Sequence, residues 1–539
     1  MTPIKILWVD DEIELLRPHF LFLEGKGYLT TACNNGQDAL IMLKDEIFDV
    51  VLLDENMPGL GGLETLNEIK LRSPNLPVIM ITKNEEEQIM EEAIGAKISD
   101  YLIKPVNPNQ ILLALKKLFE HKNLIAEKTI INYQQAFQKI SLSLNELHTH
   151  QDWSDFYIKM LYWEMELESL EDLAMLEIFQ NQMKEANRLF AKFIENNYVD
   201  WIINESGPLM SHQILKEKLF PILKNESEKT TLMLVIDNLR FDQWKMIAPI
   251  IENHYQKEEE LSYFSILPTA THYARNAIFS GMTPLEMQKK HPELWVNENE
   301  EGGKNLNEAA FLKAQLESNN IKSQFSYSKI TNLKAGRELT QSLNNRQKDD
   351  LLVVVYNFVD MISHAKTEME IIKELASDNK AFRSLTLSWF KNSPLLEIIQ
   401  QARKLGFKLI VTTDHGTINV DQPLEVKGNR EVSMNLRYKT GQSLSYPTKS
   451  VMEVNDPKGI QLPASHLNSK FIFAREQQYF VYQNNFNHYA NHFRNTFQHG
   501  GISMEEMIIP FVVCVHDSVK FAICYFGLIW IKSTRQSIF

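Results

Sequence analysis

The chain has 539 residues, with 56 lysines and arginines against 69 aspartates and glutamates, so its formal net charge is −13. The length suggests about three domains, and 44% hydrophobic and 23% charged residues exclude wholesale disorder. The acidic balance argues against a chain that binds nucleic acid as a whole, and three widely spaced cysteines (Cys33, Cys514 and Cys524) exclude a disulfide framework and suit a reducing compartment.

No targeting or membrane segment is predicted. Acidic residues interrupt the first apolar run, MTPIKILWVDDE, before it reaches the length of a signal peptide. The longest uncharged apolar run, Phe521 to Ile531, is too short for a membrane helix. We therefore expect a cytoplasmic protein, and we assign no function to the terminal segment 519–539.

Residues 1–122 alternate short apolar runs with helical patterns, which is typical of βαβ units around a parallel sheet. Helices are predicted at Asp11–Lys26 and Leu63–Arg72. Strands are predicted at Ile4–Val9, Val50–Leu53, Val78–Ile81 and Tyr101–Ile103. Because these runs are apolar on both faces, they indicate a parallel sheet that is covered on both sides.

Polar side chains follow these strands, at the edge where ligands bind in parallel sheets. They are Asp10, Asp11, Asp54, Thr82 and Lys104. Three carboxylates on one rim repel one another unless a cation lies among them, and oxygen ligands of this kind suit Mg²⁺. A lone aspartate at a strand end is usually a solvated charge, but five such residues favour a cradle for a transferred phosphoryl group.

The segments VDDE, DENMPGLGG, ITKN and DYLIKP resemble the receiver domain of response regulators, which has a flavodoxin-like fold. The resemblance implies that Asp54 accepts a phosphoryl group from a sensor histidine kinase. It also implies that Asp11, Asp54 and the backbone carbonyl of Asn56 bind Mg²⁺. Asp10 would then orient the water molecules of the ion.

The same resemblance assigns the phosphoryl oxygens to Thr82 and Lys104, and it makes Tyr101 a rotating switch residue. A phosphate adds about −1.5 to −2 charges, which would draw Thr82 inward and vacate space for Tyr101. We therefore expect a homodimer that phosphorylation promotes.

A helical connector is predicted over residues 123–204. From Asn123 to Tyr198 the chain has no strand-like run, and apolar residues recur at steps of three and four. We expect Trp153, Trp163 and Trp201 to pack this bundle, in preference to forming a ligand surface. No basic recognition helix follows the receiver segment, so direct DNA binding is not expected.

A second α/β domain is predicted over residues 205–518, with strands at Leu232–Ile236, Leu351–Tyr356 and Phe407–Thr412. Polar residues follow these strands or lie in the motifs PTATHYARNAIFSG and FQHGGISMEE. They are Asp237, Thr271, Asp360, His364, Asp414, His415 and His499. Taken singly, an Asp-His pair is more often structural, and a threonine after a proline is usually a helix cap.

Aspartate oxygens and histidine nitrogens together are ligands of zinc type, with Mn²⁺ as the weaker alternative. Two divalent ions would leave this pocket positively charged, which favours an anionic transition state. Two metals about 4 Å apart can hold the attacking and leaving oxygens of a phosphoryl displacement, with Thr271 as the nucleophile. A helix that begins behind Thr271 would add backbone N–H donors.

The ordered set Asp, Thr, Asp-x-x-x-His, Asp-His, His resembles the alkaline phosphatase superfamily. The PTxT…SG spacing is similar to its nucleotide pyrophosphatase/phosphodiesterase branch, and the HGGxSxEExxxP ending is similar to PglZ-type domains and cofactor-independent phosphoglycerate mutases. The resemblance implies two Zn²⁺ ions, one held by Asp360, His364 and His499 and the other by Asp237, Asp414 and His415, with Thr271 as the nucleophile between them.

A receiver, a helical connector and a PglZ domain in this order resemble the PorX-type response regulators, which are associated with type IX secretion. This resemblance implies a metal-dependent phosphodiesterase that acts on a small nucleotide such as an oligoadenylate. Candidate substrate-binding residues are Arg275, Asn276 and Asn297, although Arg275 is equally compatible with an exposed surface position. The alternative function is a non-catalytic regulator that docks a sigma factor or a secretion-motor component through the PglZ domain.

Overall fold

The computed structural model describes residues 3–83, 98–170, 172–225, 230–368, 374, 376, 378–428, 435–464, 466 and 468–515. For residues 120–127, 173 and 364–368 only the backbone is described. The chain forms two compact units, Met1–Gln135 and Ala136–Phe539. The segment 519–539 and Cys524 lie outside the described residues.

The first unit holds a five-stranded parallel sheet in the order β2-β1-β3-β4-β5. Its strands are β1 Lys5–Val9, β2 Leu29–Cys33, β3 Val50–Asp54, β4 Val78–Thr82 and β5 Asp100–Ile103. Its helices are α1 Arg17–Glu24, α2 Gly36–Asp45 and α3 Gly62–Arg72, and α4 Pro108–Ser143 continues past its end. This strand order is that of flavodoxin-like folds.

Side chains of the central strands alternate between two apolar clusters, one on each face of this sheet. Leu7 and Val9 join one cluster, whereas Ile6 and Trp8 join the other. The four predicted strands are confirmed. The predicted helix Asp11–Lys26 was too long, because a 3₁₀ turn at Ile13–Leu16 precedes α1.

The second unit begins with long helices, as predicted for the connector. They are α5 His150–Glu168 and α6 Leu173–Asn204. Asp172 caps α6 by accepting a hydrogen bond from the Met175 N–H. Trp153 and Trp201 are buried, as predicted, whereas Trp163 is half-buried.

A six-stranded sheet in the order β7-β18-β10-β6-β9-β8 forms the centre of the second unit. Its strands are β6 Thr231–Ile236, β7 Gln256–Phe264, β8 Phe325–Ile330, β9 Leu351–Tyr356, β10 Lys408–Thr412 and β18 Ile508–Val515. The four strands β10, β6, β9 and β8 are parallel, and β18 and β7 add an antiparallel edge. The three strands predicted here are confirmed.

Helices surround this sheet, and smaller sheets adjoin it. The helices are α7 Phe220–Asn225, α8 Phe241–Glu252, α9 Thr271–Ser280, α10 Pro284–Lys290, α11 Glu308–Ser318, α12 Leu333–Ser342, α13 Phe358–Glu368, α14 Asn379–Lys391, α15 Pro394–Lys404, α16 Phe486–Phe493 and α17 Met504–Met507. The remaining strands are β11 Ile418–Val420 paired with β17 Thr496–Gln498, β12 Gln422–Val426 paired with β16 Gln478–Tyr482, and a sheet of β13 Tyr438–Gly441, β15 Lys470–Ala474 and β14 Val451–Val454.

The register of the parallel strands brings their carboxyl ends to one edge. Ile236, the last residue of β6, pairs with Tyr356 at the end of β9, and Thr412 at the end of β10 pairs with Val235. The residues that follow these three strands therefore meet. In the part of the chain that the structure describes, no helix is both long and apolar enough to span a bilayer.

Candidate active site

In the first unit, the strand ends bring together a lysine and two buried carboxylates. The Nζ of Lys104 lies 2.8 Å from Oδ2 of Asp10 and 3.0 Å from Oδ2 of Asp54. Oxygens of Asp10, Asp11 and Asp54 all lie within 4.8 Å of one another, and Asp11 is exposed. Burial raises the pKa of Asp54, against the lowering effect of Lys104. This is an oxygen set that could hold a Mg²⁺ ion.

The other residues predicted for this pocket are Thr82, Tyr101 and Asn56. Thr82 is buried and donates to the carboxylate of Glu55, a partner that the sequence did not suggest. Tyr101 is half-buried against one apolar cluster, and Asn56 is exposed. A Cβ on Gly62 would lie 2.3 Å from the carbonyl oxygen of Asp54, so the turn after Asp54 requires glycine there.

In the second unit, the predicted nucleophile lies beside two predicted metal ligands. Thr271 is the first residue of α9, and its Oγ1 lies 3.1 Å from Nε2 of His415 and 3.4 Å from Oδ1 of Asp237. Asp237, Asp414 and His415 are buried, and one ligand atom from each lies within 4.8 Å of the others. Two strand ends and the start of α9 therefore gather these four residues, as predicted.

The protonation of His415 suits a metal ligand. Its Nδ1 lies 3.0 Å from the carbonyl oxygen of Gly416, so Nδ1 donates and the lone pair of Nε2 points toward Thr271. Burial lowers the pKa of His415 to about 4, which keeps the ring neutral.

The carboxylates of Asp237 and Asp414 also suit metal ligands. Oδ1 of Asp414 accepts from the N–H groups of Asn238 and His415, at 3.2 and 3.1 Å, while its buried Oδ2 accepts no hydrogen bond among the described residues. Burial raises the pKa of both Asp237 and Asp414. Two buried acids beside a neutral imidazole are a donor set that fits a zinc ion, because a cation would compensate their charge.

Two residues of the other predicted ligand set also meet. The Nε2 of His499 lies 3.8 Å from Oδ1 of Asp360, which is in the first turn of α13. The rings of His415 and His499 stack with centroids 4.3 Å apart, so the two ligand sets adjoin. Burial and the neighbouring carboxylates of Asp237 and Asp414 raise the pKa of Asp360. The side chain of His364 lies outside the described residues.

The structure corrects the role predicted for Arg275. Its side chain is buried, its Nη1 lies 2.6 Å from Oδ2 of Asp237, and its Nε donates to Glu308 at 2.6 Å. It is therefore not an exposed surface residue, and its guanidinium is paired with two carboxylates. Arg275 pairs with Oδ2 of Asp237, so that Oδ1 of the same carboxylate faces Thr271.

The two asparagines predicted to contact substrate have structural partners instead. The buried Nδ2 of Asn276 donates to the backbone carbonyls of His272 and Lys304. Asn297 accepts from Gln288 and from the Trp295 indole, and its Nδ2 donates to Glu300. These amides hold the segment that follows the nucleophile, and a substrate contact stays a prediction for both.

Sequence reasoning missed two residues that shape the site. Asn238 has a positive φ of 64°, a conformation that asparagine tolerates better than most residues, and it directs its N–H to Asp414. Thr269 accepts from the Gly500 N–H at 3.1 Å and donates to the Gly501 carbonyl at 2.9 Å, which fixes the loop of His499. Two sequence signals could have revealed them: Asn238 follows Asp237 directly at a strand end, and Thr269 is the first threonine of the PTAT motif.

Three family models match successive segments of the chain. Residues 6–116 match the response regulator receiver domain, residues 123–202 match the PorX response regulator linker domain, and residues 214–514 match the BREX system PglZ alkaline phosphatase-like domain. The last match covers more than half of the chain. The three together have the PorX-type architecture.

Curated relatives and solved structures match the receiver part. The transcriptional regulatory protein ZraR of Klebsiella oxytoca is 36% identical over 22% of this chain and 27% of its own length. ResD of Bacillus subtilis is 34% identical over 21% of this chain and 47% of its own length. The chemotaxis protein CheY4 of Vibrio cholerae is 28% identical over 21% of this chain and 98% of its own, with a TM-score of 0.21. The chain thus spans less than half the length of these two curated relatives.

Proposed function

This chain belongs to the PglZ family of alkaline phosphatase-like domains and carries a receiver domain before it, and we propose that it is a metal-dependent phosphodiesterase under the control of receiver phosphorylation. The observation that carries the proposal is the position of the Thr271 hydroxyl, 3.1 Å from His415 and 3.4 Å from Asp237.

In the proposed reaction, Oγ1 of Thr271 loses its proton to solvent and attacks the phosphorus of a bound diester. The bond to the leaving oxygen breaks, and that oxygen takes up a proton from water. Water then cleaves the ester on Thr271 and releases the product. Zn²⁺, when bound, supplies Lewis-acid chemistry that favours loss of the hydroxyl proton and balances the anionic charge. Asp237, Asp414 and His415 would hold one ion, and Asp360, His364 and His499 the other.

The two ion pairs of Arg275 support a diester over a monoester as the substrate. A terminal phosphate is a dianion whose exposed oxygens usually need an arginine or lysine clamp. Arg275 lies one turn after Thr271, but Asp237 and Glu308 already bind its guanidinium. We propose a small nucleotide such as a linear or cyclic oligoadenylate as the substrate, by analogy with the nucleotide phosphodiesterases.

The receiver domain implies a phosphodonor such as a histidine kinase, with Asp54 as the proposed acceptor. Mg²⁺ at Asp10, Asp11 and Asp54 would be required for that transfer. The PorX-type architecture supports a role in the control of type IX secretion.

The purified full chain tests the proposal. We expect zinc in metal analysis, and hydrolysis of oligoadenylates or a chromogenic diester that chelation abolishes and zinc restores. The Asp237→Asn variant should lose both zinc and turnover. Hydrolysis that persists in metal-free protein, or a zinc-loaded chain that cleaves only monoesters, would overturn it.

A further inference from the structure

An asparagine of the connector makes its hydrogen bonds outside its own helix. Asn187 lies in α6, within the segment that matches the linker domain and before the segment that matches the PglZ domain. It is buried, and its Nδ2 donates to both carboxylate oxygens of Glu505, at 3.2 and 3.0 Å. Its Oδ1 accepts from the Met504 N–H at 2.9 Å. The side chain is therefore committed to the short helix α17.

Helix α17 in turn holds the loop of one predicted metal ligand. The Glu506 carboxylate accepts from the Gly501 N–H at 2.9 Å and from the Ser503 hydroxyl at 2.7 Å. It also forms a buried ion pair of 2.6 Å with Arg437. Because Gly501 is two residues after His499, the position of α17 sets the position of that loop.

The same helix also contacts the loop of the other predicted ligand set. The carbonyl oxygen of Glu506 accepts from the Gly416 N–H at 3.1 Å, and the carbonyl of Gly416 accepts from Nδ1 of His415. A Cβ on Gly416 would lie 2.0 Å from the carbonyl oxygen of Glu505, so the two backbones are in close contact. One helix thus supports both stacked histidines.

A second set of contacts joins the connector to the segment after Asp237. Glu168 of α5 accepts from Arg383, whose Nη1 lies 2.6 Å from Asp242 in α8. Asp242 also forms an ion pair of 2.8 Å with Arg240, which lies three residues after Asp237 in the sequence. These side chains are largely buried, and removal of one partner would leave an uncompensated charge.

We infer that Asn187 is a positioning residue for the metal site, and that the connector is a part of the catalytic unit. The inference rests on the proposed function for the identity of the site. Asn187 touches neither substrate nor metal ligand; it fixes α17, and α17 fixes His415 and His499. Outer partners that orient metal ligands typically change metal affinity or activity 10- to 100-fold when they are lost.

The Asn187→Asp variant of the full chain tests this. It keeps the acceptor for the Met504 N–H but places a second carboxylate against Glu505, and we expect zinc affinity in chelator competition to fall about tenfold or more. Asn197→Asp is the matched control, because Asn197 of the same helix donates to the Phe193 carbonyl at 2.8 Å and has no other side-chain hydrogen bond among the described residues. Its zinc affinity should equal that of the wild type.

Rescue separates positioning from general damage. Adding Glu505→Gln to Asn187→Asp restores a donor–acceptor pair with reversed polarity, and most of the zinc affinity should return. Should Asn187→Asp fail to fold, Asn187→Ser is expected to lower zinc affinity in the same direction. Equal zinc affinities for Asn187→Asp and Asn197→Asp, or no rescue in the double variant, would overturn the inference. If the wild type binds zinc but cleaves no diester, the proposed function is refuted and the inference about Asn187 is not.

Discussion

The Oγ1 of Thr271 lies 3.1 Å from Nε2 of His415, although 144 positions separate the two residues in the sequence. His415 directs its other nitrogen to the carbonyl of Gly416, so the lone pair and the hydroxyl face the same space. Asp237, which follows another strand end, approaches that space as well. The chemistry proposed for the second unit depends on this meeting of a hydroxyl with the proposed ligand atoms.

Arg275 should affect metal binding more than substrate binding. The Arg275→Lys variant keeps the charge but loses the fork that joins Asp237 to Glu308, so Asp237 is less well oriented. We expect zinc affinity to fall about tenfold in chelator competition, with a smaller change in KM at saturating zinc. A raised KM with unchanged zinc affinity would instead favour the substrate contact that the sequence suggested.

Lys104 should compete with Mg²⁺ in the receiver pocket. Its ammonium lies within 3.0 Å of Asp10 and Asp54, and two unit charges at 4 Å interact by about 4 kcal/mol at an effective dielectric of 20. Lys104→Met should therefore raise Mg²⁺ affinity about tenfold or more in calorimetric titration. Lys83→Met is the control, since Lys83 is exposed and pairs only with Glu12 among the described residues. Equal affinities for the two variants would count against this reading.

Lys439 should make stability depend on pH. Burial lowers the pKa of Lys439 from 10.5 to about 7, and its ammonium group lies over the ring of Tyr482. Below pH 7 the folded protein holds a buried charge. Between pH 7 and about 10 the unfolded chain binds the extra proton, so stability rises with pH.

Lys439→Met should accordingly raise the unfolding midpoint by a few degrees at pH 6, an advantage that shrinks toward pH 10. Thermal unfolding across this range measures the effect. The exposed Lys427→Met variant is the control and should show no such trend. Parallel curves for the wild type and Lys439→Met would contradict the prediction.

Much of both parallel sheets could be predicted, because central strands such as Val50–Asp54 and Leu351–Tyr356 are buried along their whole length. Three of the four edge strands of these sheets were missed, whereas the edge strand Asp100–Ile103 was predicted. Leu29–Cys33 buries only Cys33, and the strand Gln256–Phe264 begins with four charged residues among its first five. One-sided contact with a sheet leaves little apolar signal in a sequence.

The candidate site likewise contains residues that could be predicted from the sequence and residues that could not. Asp237, Asp414 and His415 could be predicted, because each follows a buried strand and the ends of parallel strands meet. The role of Arg275 could not, since it depends on Glu308, which is distant in sequence and belongs to another helix. Asn187 was likewise hidden within a helical pattern, because burial alone does not reveal which groups a buried amide serves.

The Thr271→Val variant tests the central claim most directly. Valine matches the shape of threonine but lacks the hydroxyl, so the account predicts full zinc content and loss of diester hydrolysis, while Thr271→Ser retains measurable turnover. Wild-type hydrolysis by zinc-loaded Thr271→Val protein would contradict the account, because the attacking oxygen would then have to come from another group.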